Sequence, residues 1–350
     1  MRKASRIKLA FLVWAGAAVS SGLTIAQTAS TEPVLSLSKG SEPAPDSIRG
    51  QAYPARPVRL ILPYTPGSPV DAAARIVTQH LQARLGQSFV IDNRPGAGTT
   101  IGTKVAAAAA ADGYTLVIVG DNLSYYSTLY PTLDFDPLKS LTPIASAVAW
   151  SHVVVVAPSV PAKTVAELIA HAKANPGKLV FGFGLGSVPH ILGSVFRQAS
   201  GIDINFIPYR GGDQARADLL GGRVHLNMAP VGNLLPLIQD GRARPVAFTG
   251  PARSPFLPDV PTMSESGFPQ VGFNPDAWQG FFGPVGMATA LVNKLNLEIN
   301  ESLNASQVKA ALGKMAYEPK PATPQAFAAF LVAQLQKMPP ILRAAGLKPE

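Results

Sequence analysis

Along most of the chain, short apolar runs alternate with stretches in which apolar residues recur every three or four positions. Val58–Leu62 shows the first pattern and suits a strand buried on both faces. Pro63 stops it. Tyr64-Thr65-Pro66-Gly67-Ser68-Pro69 then forms a turn that no helix or strand could absorb. From Val70 onward, Ala72, Ala73, Ile76, Val77, Leu81 and Leu85 fall at helical spacing. A strand, a tight Gly/Ser/Pro loop and a helix start leave backbone N–H groups aimed at one spot, where the positive end of the helix dipole adds to them. Small anions bind at such places.

The alternation continues with strands predicted over 89–92, 115–119, 143–148 and 153–157. A glycine-rich loop at 93–102 and an Ala-rich helix to residue 111 follow the first of these, and two loops rich in Tyr, Pro and Asp lie between 119 and 143. A second round then begins. Helices are expected over 165–174, 191–199, 213–220 and 234–239, and strands over 179–183, 205–209, 224–228 and 245–248. Asp213 stands where it could cap the third of these helices. A Pro-rich connection over 251–275 leads to one more strand, 277–282, and the tail is helical at 291–303, 307–312 and 326–345.

Alternation at this spacing calls for an α/β fold in which mostly parallel sheets are covered by helices, one sheet per round. Crossings near Trp150 and Phe273 assign residues 53–150 and 272–350 to one domain and residues 151–271 to another, with a two-strand hinge between them. Ligands of such sheets sit beyond the carboxyl ends of the strands. The loop Gly184-Leu185-Gly186-Ser187-Val188-Pro189-His190 follows a strand, as the first loop does. Facing each other across a cleft, the two loops would offer amide donors to one ligand, and the cleft would close about the hinge.

Composition narrows the classes. The chain of 350 residues has 47% apolar residues, no cysteine, and a formal charge of +9. Disulfides, thiolate catalysis and Cys-based metal sites are thereby excluded. Arg2, Lys3, Arg6 and Lys8 precede an apolar stretch over 9–19 and small residues up to Ala26, the layout of a secretory signal peptide cleaved near Ala26. Residues 27–52, rich in Ser, Pro, Glu and Ala, read as a disordered leader. The remaining cations are scattered, which disfavours nucleic acid.

Together, YPARPVRLILPYTPGSPVD, FVIDNRPGAGTTIG, ADGYTLVIV, VPAKTVAELIAHAKANPGKLVFGFGLGSVPH, IPYRGGDQARADLLGGRVHLNMA and SPFLPDVPTMSESG resemble the Bug family, exported receptors of tripartite tricarboxylate transporters. The likeness runs from about Tyr53 to Leu347. It implies a periplasmic binding protein of type II topology that presents a small carboxylated solute to membrane permease subunits. It also implies a monomer with no catalysis, metal or cofactor. Carried onto this chain, it nominates Tyr64, Thr65, Gly67, Ser68 and Asp71 on one side of the cleft and Gly184, Gly186, Ser187 and His190 on the other. Tyr209, Gly211, Asp213 and Met228 would add selectivity. The chain departs from the family at Gly67-Ser68, where two glycines are usual, at Gly182 and Phe183, where a Ser-containing turn is common, and at Arg210, where lysine is frequent.

A secreted enzyme is the competing class. Gly96, Gly98 and Gly102 after a strand, with Asp121 ending the next one, have the look of a dinucleotide site of an NAD(P)-dependent oxidoreductase. Against this, Pro95 sits at the loop mouth, and glycines that let helix and strand pack closely explain the run better. Ser187 and His190 suggest a hydrolase pair, but no GxSxG elbow surrounds the serine. Asp71 reads most simply as a dipole-favoured cap, Arg210 as a solvated cation, and Tyr125, Tyr126 and Trp278 as packing.

Overall fold

A computed structural model of the chain describes residues 53–184, 187–209, 211–271 and 277–344. The expected signal peptide and leader, Gly186, Arg210 and the crossing near Phe273 lie outside the described residues. Strand β1 (Val58–Leu62) carries alternate side chains into two cores. Leu60 and Leu62 pack with Ala73, Val77 and Leu81 of helix α1 (Pro69–Leu85), whereas Ile61 joins the opposite face. Helix α1 has Pro at its first position, where the missing N–H costs nothing. The Ser68 hydroxyl accepts from the Asp71 N–H at 3.3 Å, and left-handed Gly86 closes the far end.

Beside β1 lie β2 (Phe89–Asn93) and, after helix α2 (Thr100–Ala107), β3 (Thr115–Gly120), both parallel to it. The Tyr-rich segment expected as loops instead folds into a 3-10 turn (Asp121–Tyr125) and two short helices, α3 (Tyr126–Leu129) and α4 (Pro137–Ser140). Buried Tyr126 exchanges hydrogen bonds with Thr99 at 2.7 Å and Thr103 at 3.1 Å, which supplies tertiary support that periodicity does not show.

Strand β4 (Leu141–Trp150) runs through Ser151 into β5 (His152–Val156), so the chain leaves the first sheet and enters the second with a single residue between. The second round is α5 (Val165–Ala174), β6 (Val180–Gly184), α6 (Val188–Ser200), β7 (Asn205–Tyr209), α7 (Gly212–Leu220), β8 (Leu226–Pro230), α8 (Val231–Gln239) and β9 (Arg244–Phe248). Gly193 lets α6 lie directly on the buried Phe181 ring; an added Cβ would overlap that ring. Strand β10 (Ala277–Pro284) returns to the first sheet, and α9 (Thr289–Asn304), α10 (Ser306–Gly313), β11 (Glu318–Pro319) and α11 (Pro324–Ala344) complete it.

The sheets are ordered β11-β4-β10-β3-β1-β2 and β7-β6-β8-β5-β9. Among the named strands of the described residues, parallel pairing is confined to the strand–helix repeats: β2, β1 and β3 in one sheet, β7, β6 and β8 in the other. At the crossings it is antiparallel, with β10 against both β3 and β4 and β5 against both β8 and β9. A chain that passes out to a second sheet and comes back must reverse direction at the passage. Ala277 pairs with Trp150, so the outgoing and returning strands meet where one sheet hands over to the other.

Candidate functional site

The carboxyl ends of β1, β3, β6, β7 and β8 each run into a helix start, and these ends surround a cavity of about 250 Å³. From the first sheet it takes Tyr64, Val70, Asp121, Asn122 and Gln279; from the second, Gly184, Ser187, Pro189, Gly212, Met228 and Asn233. Trp150 and His152, on either side of the crossing at Ser151, also line it. The first turns of α6, α7 and α8 therefore reach one space, and helix starts carry amides without intrahelical partners and a partial positive charge. Arg216, one turn into α7, lines the same wall and holds Asp213 at 3.0 Å, an exposed pair of little energetic consequence.

Two ionisable groups in the wall are buried. Asp121 is 7% exposed; burial pushes its pKa up to about 7, against hydrogen bonds from the Tyr125 hydroxyl and the Asn122 N–H that favour the anion. His152 is 4% exposed, and burial pulls its pKa down to about 4, so it is neutral at physiological pH. Among the described residues, two further buried polar atoms of lining residues, Trp150 Nε1 and Asn227 Oδ1, have no hydrogen-bond partner. A larger cavity of about 410 Å³, bounded by Trp278, Phe327 and Phe330, draws on the first sheet and its helices alone. The smaller one is the candidate site because both sheets and their helix starts build it.

Residues 73–347 match the family model described as the tripartite tricarboxylate transporter family receptor. The chain belongs to this family. It is 35% identical over 304 residues to Protein BugT of Bordetella pertussis, covering 86% of this chain and 93% of that one. Among solved structures, Rpa4515 of R. palustris with adipate superposes with a TM-score of 0.77 at 32% identity, covering 85% of this chain and all of the other (100%). MatC from Rhodopseudomonas palustris with bound malate gives a TM-score of 0.72 at 27% identity, covering 83% of this chain and 100% of that one. The family is one of solute-binding receptors, and its α/β architecture is the fold seen here.

Within this receptor the nominated residues separate into two groups. Tyr64, Gly184, Ser187 and Met228 stand in the cavity wall. Thr65, Gly67, Ser68, Asp71, His190, Tyr209, Gly211 and Asp213 do not line it, and several have other partners. The Asp71 carboxylate, 2% exposed, accepts from Arg75 Nε at 2.8 Å, Asn93 Nδ2 at 2.9 Å and the Gly67 N–H at 3.1 Å. Burial works to raise its pKa, but these bonds outweigh it and hold the carboxyl below the usual range. It clamps the first loop from behind. The Tyr209 hydroxyl donates to Asp218 at 2.7 Å, and Asp213 is exposed in the first turn of α7, whose cap is Gly211. The His190 ring stacks on Phe183 at 4.4 Å. The Ser187 hydroxyl donates to the Gly184 carbonyl at 2.6 Å, so its proton is directed to a carbonyl rather than to a base.

The glycines of the 96–102 stretch are filled by protein. A Cβ at Gly98 would strike Tyr130, one at Gly96 would meet Ile101, and one at Gly102 would meet the Arg94 carbonyl at 2.8 Å. These glycines thus let the loop and α2 pack tightly against their neighbours. Asp121, read with them as a ribose acid, belongs to the interlobe cavity instead. Reading along the chain passed over Arg216, Asn122, His152, Gln279 and Asn233. Arg216 alone carried a signal, as a cation one turn inside a helix that starts after a glycine loop; His152 and Gln279 reach the site through the crossing strands, Asn122 through the turn after β3 and Asn233 through the first turn of α8.

Proposed function

We propose that this chain is a periplasmic receptor that holds a small carboxylate between its two lobes and delivers it to the membrane subunits of a tripartite transporter. One observation carries the reading: the first turns of α6, α7 and α8, with Arg216, converge from the second sheet on a cavity whose other wall belongs to the first. A carboxylate placed there meets helix-start amides, the positive ends of helix dipoles and a guanidinium fork, all favouring an anion. The volume equals roughly eight molecules of liquid water at about 30 Å³ each, which suits a small organic acid. Relatives solved with adipate and malate lend support, as does the basic, then apolar, leader over residues 1–26, which fits export. Opening of the lobes about Ser151 and Ala277 would admit and release the ligand.

Thermal melts of the purified protein against a panel of small carboxylates test the reading. Ligand at a hundred times its Kd adds roughly 2.7 kcal/mol, a rise of about 5 °C for a protein of this size. Arg216→Ala should weaken binding by about tenfold or more while leaving the ligand-free melt in place. A panel in which no carboxylate shifts the melt would end the proposal.

A further inference from the structure

The cavity also constrains the part of the ligand that is not carboxylate. Asp121 stands in its wall, and among the described residues no cation acts on it. Tyr125 on its own turn donates to it at 3.3 Å, and Tyr64 from the first loop and Tyr317 after α10 feel its charge. Gln279 of β10 bonds the Tyr64 side chain nearby. The wall opposite holds Arg216 and the helix starts. One lobe thus presents an acceptor, the other donors.

An acid bearing nothing but carboxylates satisfies the donors and leaves Asp121 unanswered. A second carboxylate against Asp121 would also place like charges together in a desolvated site unless an extra proton were taken up. We propose that the ligand carries, away from its carboxylate, a hydrogen-bond-donating group (an ammonium or a hydroxyl) that Asp121 accepts, so that the receptor selects amino or hydroxy acids over simple diacids. The inference rests on the carboxylate-receptor reading. Burial keeps Asp121 partly protonated near neutral pH in the empty site, so a bound ammonium draws it into its ionised form and releases a proton. A site built to pair with a donor rejects the analogue that lacks one, because its own buried groups are then left unpaired.

Titration calorimetry near neutral pH, in buffers of different ionisation enthalpy, tests this with matched sets. One set is 4-aminobutyrate, 4-hydroxybutyrate and succinate; another is 4-hydroxybenzoate and terephthalate. The expected result is that amino or hydroxy members bind about tenfold or more tightly than the diacid of their set, with proton release for the amine. Asp121→Asn, the same shape without the charge, should shrink that preference to about threefold or less and abolish the proton release. Diacids that bind wild type as tightly as their partners, or a preference unchanged in folded Asp121→Asn, would overturn the inference while leaving the receptor reading intact. If no member of either set binds, both fall together. Should the variant fail to fold, the wild-type ranking decides by itself.

Discussion

Asp121 makes the ligand-free protein's stability depend on pH in a calculable way. Its carboxyl is 7% exposed, and its pKa rises from an ordinary 3.8 to about 7, chiefly through desolvation. The folded chain therefore holds this proton more tightly than the unfolded chain. The stabilisation is complete below about pH 4 and is lost as pH rises through 7. At about 1.36 kcal/mol per pH unit, the gap is on the order of 4 kcal/mol across that window. His152 works in the opposite sense: its pKa falls from 6.5 to about 4, so its contribution is present above 6.5 and is lost as pH falls through 4. Wild type alone thus shows a flattened profile, and the comparison must be with Asp121→Asn, in which the His152 contribution cancels. Urea unfolding of both proteins at pH 4 and pH 8 is the assay. The asparagine variant should gain on wild type by on the order of 3 to 4 kcal/mol between the two pH values. Equal losses in both proteins would refute the idea that this carboxyl is desolvated without a compensating cation, and with it the electrostatic picture of the cavity.

Three further outcomes follow from the packing and hydrogen bonding. Gly193→Ala should lower stability by about 1–3 kcal/mol in denaturant melts, because the added methyl overlaps the Phe181 ring and the helix must shift off the sheet. Asp71→Asn should cost about 1–3 kcal/mol by loosening Gly67, Arg75 and Asn93. Because the folded pKa of Asp71 is depressed, that cost should be greatest above the ordinary carboxylate pKa and vanish as pH falls through the folded value; a cost independent of pH would contradict it. Thr164→Ala removes the oxygen that accepts from the Glu167 N–H at 3.1 Å at the start of α5, and should lower the melting midpoint by about 1 kcal/mol's worth.

Much of the fold can be read along the chain because its causes are local. Apolar runs of strand length, helical spacing after them, and Gly, Pro and Ser at the joints place β1, α1, β5, α5, β7 and the tail helices within a few residues of their ends. Both loops that open α1 and α6 are equally visible, since turn chemistry is written in consecutive residues. The short helices after Asp121 are not, because Tyr126 earns its place through Thr99 and Thr103.

The sequence alone determined that this chain alternates strands and helices in two rounds with glycine loops at the strand ends, and its motifs carried the family likeness. Only the tertiary structure decided which loop residues face the cavity and which brace it. Asp71 and Tyr209 look like site residues by position, yet Arg75 and Asp218 take up their polar atoms. Trp150, His152, Asn227 and Gln279, from strands far apart in sequence, and Asp121, from the turn after β3, meet because the crossing at Ser151 and the return at Ala277 bring both sheets' strand ends to one place. Local chemistry fixes dihedral angles and spacing; which side chain meets which partner depends on how two sheets dock, and no stretch of neighbouring residues encodes that.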